Sequence, residues 1–157
     1  MPGDDRLLRE HLLEFLRGGS AHIDFKSAVK DFPPELYGKT PEGAPYSAWQ
    51  LLEHLRIALH DMLDFCVNPK YAALEWPKDY WPESAAPPSA ETWRASVRAV
   101  EADIAEFERL AGDPKSNLYA KIPWGDGQTL LREILLAGDH NSYHLGQLVM
   151  LKKQLTA

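Results

Sequence analysis

Apolar residues recur at helical spacing in four stretches of the chain, separated by loops rich in proline and glycine. The first stretch covers residues 4–29, from Asp4, with Leu7, Leu8, Leu12, Phe15 and Leu16 on one stripe. Gly18-Gly19 interrupts it and predicts a bend or a split there. Residues 31–46 hold four prolines, a density that excludes a continuous helix. A second helix is expected from Ser47, a good N-cap residue, to just before Asn68-Pro69. A third starts after Ser89 and stops at Gly112-Asp113-Pro114. The fourth covers residues 129–155. Between the last two, residues 117–122 alternate weakly and predict a short hairpin ending at Gly125-Asp126-Gly127. The whole predicts an all-α fold, a four-helix bundle with long Pro- and aromatic-rich loops, forming one domain over residues 1–157.

The longest loop, residues 71–88, is too long for a routine connector. It carries Tyr71, Trp76, Tyr80 and Trp81. Aromatic side chains need a surface to cover, so this loop is expected to fold back over the bundle.

Composition changes the picture in three ways. With 157 residues and 45% hydrophobic residues, the chain can bury a core without covalent staples. A net charge of −6 with no basic cluster disfavours nucleic acid and anionic membranes as partners. The single cysteine, Cys66, excludes an intramolecular disulfide, and the acidic N-terminus lacks the pattern of a signal peptide. No apolar run is long enough to span a bilayer. These features predict a cytoplasmic protein.

Candidate chemistry lies in the histidines. His140 and His144 are one turn apart in the last helix, so their imidazoles can aim at one point, an arrangement suited to a shared metal ion. Both fall near the middle of the apolar face of Leu130, Ala137, Leu148 and Leu151. His54 lies at the edge of the second helix's apolar face, formed by Leu51, Leu55, Ala58, Leu59, Met62 and Cys66, and can point inward. His60 lies opposite, near Glu53 and Asp64, and is expected in solvent, as are His11 and His22. Polar groups on an apolar stripe are costly unless partnered. Histidines bonded to other core groups would satisfy that requirement as well as a metal would. The His140 motif is not the zinc-protease one, because Asn141 stands where that motif has its glutamate. Glu133 shares the ligand stripe two turns earlier and is a candidate to hold a ligand's second ring nitrogen; Asp139 is another, off the stripe. The far side of this helix carries Leu131, Leu135, Leu145 and Val149. Either the first helix and loops cover it or a second copy does, as a homodimer.

The segment HNSYHLGQLVMLKKQL closely resembles the C-terminal signature of the DinB-like superfamily of metalloenzymes. WQLLEHLRIALHDML resembles that family's second helix, and IPWGDGQTLLREILLAGDHNSYH its approach to the last one. The resemblance implies a four-helix bundle, often a homodimer, with a divalent metal ion held by His54, His140 and His144. Zinc fits an open three-histidine site, and imidazole also suits nickel and iron. Some relatives are thiol-dependent transferases or isomerases, which implies a small-molecule substrate and a low-molecular-weight thiol as partner; a hydrolase-like reaction, using hydroxide from a metal-bound water, is the other enzyme reading. A non-catalytic dimeric bundle with metal-binding or structural histidines is the alternative. A deep pocket opening onto the histidines favours the enzyme; a closed site with a fourth protein ligand, or histidines hydrogen-bonded to core groups, favours the bundle.

Overall fold

The computed structural model describes residues 5–157. It contains five α-helices: α1 (Arg6–Arg17), α2 (Phe25–Val29), α3 (Ala48–Val67), α4 (Ala90–Gly112) and α5 (Leu130–Thr156). Four are long, and α2 is the short remainder of the first periodic stretch. The helix start expected at Asp4 lies outside the described residues. The split falls at the paired glycines: Gly18 (φ 67°) and Gly19 (φ 86°) adopt left-handed backbone that other residues enter only with strain.

The long helices start where side chains can cap them. Ser47 accepts from the Gln50 amide while Gln50 Oε1 accepts from the Ser47 amide, a reciprocal box that opens α3. Ser89 and Thr129 cap α4 and α5 in the same sense. The proline-dense segment keeps only one 3-10 turn, Pro34–Leu36. The hairpin expected around residues 117–127 is not formed. Among the described residues there is no strand, only an isolated antiparallel bridge between Lys121 and Thr129 around the Gly-Asp-Gly turn. Residues 117–120 fold instead as a turn, with the Ala120 amide bonded to the Asn117 carbonyl.

Helix α3 runs through the centre, packed against both α4 and α5, while α1 packs on α4. Leu52, Leu55 and Leu59 of α3 are buried with Phe107 of α4 and Ile134 and Leu148 of α5. No helix is long and apolar enough to cross a membrane.

Two buried charges tie the helices together. Arg9 of α1 reaches the end of α4 and donates to the carbonyls of Ala111 (2.8 Å), Asp113 (2.8 Å) and Ser116 (2.7 Å). It thereby satisfies acceptors that a helix C-terminus leaves open. Glu53 of α3 is buried too, although helical phase places it beside solvated His60. Its carboxylate accepts from Arg56 at 2.9 and 2.8 Å and from Ser96 of α4 at 2.5 Å.

The outer strip expected on α5 is largely taken up inside the molecule. Leu145 is buried, and Leu131 packs against the core. Leu135 remains exposed, as do Tyr143 and Met150.

Candidate metal centre

Phase alone aims His54, His140 and His144 inward, and the structure brings them together. One ring nitrogen of each lies within 4.8 Å of one from each of the others. Ring centroids are 5.0 Å apart for His54 and His140, and 4.5 Å for each of the other two pairs. His54 Nε2 and His140 Nε2 stand 3.2 Å apart. Two nitrogens each about 2.1 Å from one ion are separated by about 3–3.5 Å, so this spacing suits a common metal.

The outer ring nitrogens explain how the imidazoles are held. His54 Nδ1 donates to the Tyr80 backbone carbonyl at 2.9 Å. His144 Nδ1 donates to Gln147 Oε1 at 2.6 Å, one turn further along α5. With the proton fixed on Nδ1, each Nε2 keeps its lone pair free for a metal. His140 Nδ1 is buried and has no partner. Burial depresses all three imidazoles, and neighbouring histidines add to the effect at His140 and His144. His140 is pushed down to about 3; His54 and His144 are also lowered, against the opposing pull of their hydrogen-bond acceptors. The three are therefore neutral near pH 7, the form that binds metal.

Glu133 does not hold a ligand. It is buried as phase predicts, but its Oε1 accepts from neighbouring Arg132 at 2.6 Å, while His54 and His144 take other acceptors. Helical phase gives the direction of a side chain, not its depth along the axis, and two turns is too far. The roles assigned to Glu133 fall to a backbone carbonyl and to Gln147. The first has no sequence signal, whereas the second was readable as a side chain three residues from His144 on the same face.

His60 stays in solvent, 3.2 Å from Asp103. His11 and His22 are exposed, as expected. Cys66 takes no part in the cluster, and burial, aided by Glu133, pushes its thiol up to about 12.

The long loop folds back as its aromatic residues require. Trp81 stacks on His54 with centroids 4.0 Å apart and parallel planes, stacks on Tyr46 at 4.0 Å, and meets His144 edge-on at 6.4 Å. Tyr71 and Tyr80 donate their hydroxyls to Asp61. Burial and that carboxylate raise both hydroxyls, Tyr71 to about 12 and Tyr80 further, so both remain donors. Trp76 departs from the expectation: it is 66% exposed.

Trp76 and Tyr80 form one wall of a cleft of about 530 Å³ that opens onto all three histidines. Ala58, Asp61 and Met62 of α3 and Leu136, Asp139 and Tyr143 of α5 complete it. Asp139, off the ligand stripe by phase, thus lines the cleft rather than supporting a ring nitrogen. This histidine set can hold a metal ion and is open on one side.

Searches of curated proteins and of solved structures returned no match. The family model described as DinB superfamily matches residues 8–148, a span that includes α3, α4 and every histidine of the cluster, and the chain belongs to that superfamily.

Proposed function

We propose that this protein is a divalent-metal-dependent enzyme acting on a small molecule, with thiol-dependent group transfer as its reaction class. The observation that carries the metal-centre reading is the approach of His54 Nε2 and His140 Nε2 to 3.2 Å at the floor of an open cleft. A closed structural cluster would not need that cleft. His54, His140 and His144 would hold the ion, with zinc, nickel and iron all compatible with three imidazoles. When bound, the ion supplies a Lewis acid that stabilises the deprotonated form of a water or a thiol.

The chain's own residues have separate tasks. The three imidazoles stay neutral across the physiological range and do not themselves compete as acids. Ala58, Met62, Leu136 and the rings of Trp76 and Tyr143 give the cleft apolar walls that exclude water from one side of a substrate. Asp139, exposed on the same wall, is the carboxylate we assign to proton uptake from the substrate. The thiol assignment rests on the sequence resemblance. We further propose that the molecule is a homodimer joined through the outer face of α5, on the strength of exposed Leu135 and Met150.

Metal analysis of untagged protein tests the centre. The parent is expected to carry about one equivalent of metal. Replacing His54, His140 or His144 by Ala should abolish stoichiometric binding, whereas His60→Ala should retain it. Equal loss in all four variants would refute the assignment. Thiol involvement is tested with the cobalt-substituted protein, which should gain a thiolate absorption band on adding a low-molecular-weight thiol. An unchanged spectrum at saturating thiol removes the transfer reading and leaves the metal centre.

A further inference from the structure

Tyr80 is held at both ends. Its carbonyl accepts from His54 Nδ1 at 2.9 Å, and its hydroxyl donates to Asp61 Oδ2 at 2.6 Å. The other carboxylate oxygen, Asp61 Oδ1, accepts from the Tyr71 hydroxyl at 3.0 Å. Asp61 follows His54 by seven residues on α3, two turns along and about 20° round the helix. One face of one helix therefore supplies both anchors, and residues 71–80 are drawn down along it.

We infer that Asp61 is a positioning residue for the metal site: by gripping the hydroxyls of Tyr71 and Tyr80 it keeps the Tyr80 carbonyl on His54 Nδ1, and so keeps the His54 Nε2 lone pair turned toward His140 and His144. A carboxylate is suited to this task because it only accepts, and it offers one oxygen to each hydroxyl. Hydrogen bonds to an ionised acceptor are also the stronger kind. Asparagine would accept from one tyrosine and force the other to reverse its role. The two buried carboxylates among the described residues have cationic partners, Glu53 with Arg56 and Glu133 with Arg132. Asp61 has two tyrosines instead, which locates its function in the loop and not in an ion pair. Without it, Trp81 stacking and the Phe65–Tyr71 ring contact (5.1 Å) still hold the loop. The loss is therefore of precision, not of the loop itself.

The effect on metal affinity rests on the proposed metal centre; the effect on the imidazole does not. Nitrogen NMR of the metal-free protein is expected to show His54 as a single tautomer, protonated on Nδ1. Asp61→Ala and the milder Tyr80→Phe should each give a mixture of tautomers. In competition titrations with zinc, Asp61→Ala should bind about tenfold more weakly, the lower end of the range for partners of metal ligands. Asp61→Asn should fall between it and the parent. Phe107→Leu, a core change in α4, should lower stability without altering the tautomer. A His54 that stays wholly Nδ1-protonated in both Asp61→Ala and Tyr80→Phe would overturn the inference. So would a zinc affinity within twofold of the parent for Asp61→Ala. A parent that binds no zinc would refute the metal centre, while the tautomer measurement would still decide the role of Asp61.

Discussion

Lowering the pH should weaken this fold through His140 before any metal is considered. In the unfolded chain its imidazole has the ordinary value of 6.5, and in the folded protein burial and its two histidine neighbours depress it to about 3. Well above pH 6.5 neither state is protonated, and the full stability is present. Below it the unfolded chain takes up a proton that the folded one refuses, so stability falls as the pH falls toward 3. Between pH 8 and pH 5 the difference integrates to about 2 kcal/mol, or about 1–2 kcal/mol after allowing for the ring's residual solvent contact. With a urea dependence of about 2 kcal/mol per molar, the midpoint should move by about 0.5–1 M. The assay is urea unfolding at both pH values, with a chelator present, for the parent and for His140→Gln. The parent should lose more stability than the variant by that amount. Midpoints that shift equally would show that His140 is not held neutral by its surroundings. Added zinc should steepen the parent's dependence, because protons then compete with metal at all three rings.

Two further outcomes follow from contacts elsewhere. Arg9→Lys should cost about 2–3 kcal/mol in chemical denaturation, since one ammonium cannot serve the Ala111, Asp113 and Ser116 carbonyls in the geometry of a guanidinium; a loss under about 0.5 kcal/mol would dismiss Arg9 as a cap of α4. Leu135→Glu, at a position 46% exposed, should leave stability and metal content intact while light scattering changes from dimer to monomer; a parent that is already monomeric at high micromolar concentration refutes the proposed dimer.

The elements legible in the sequence are those governed by local rules. Ser47, Ser89 and Thr129 cap helices because their side chains reach amides three residues on, a relation visible in any sequence. His54, His140 and His144 could be aimed by phase because each lies on a long regular helix. What escaped depends on distant chain. Arg9 meets carbonyls more than a hundred residues away, and Glu53 is buried only because α4 brings Ser96 over it. The Tyr80 carbonyl that orients His54 belongs to no side chain, so no residue type announces it. Glu133 misled for the opposite reason: it has the right type and the right face, but the wrong height on the helix.

The cleft's walls come from two kinds of chain. Its floor is made by α3 and α5, whose inner residues also form the core, so changes there put the fold at risk. Trp76 stands on a loop and is 66% exposed, and Tyr143, also 66% exposed, projects from the outer side of α5. Neither belongs to the hydrophobic core, although Tyr143 meets His144 edge-on at 4.9 Å and Trp76 meets His54 at 6.3 Å. Substitutions at these two positions can reshape what the cleft admits at little thermodynamic cost. One bundle with one set of three histidines is thereby open to change in what its cleft admits by altering the rim alone.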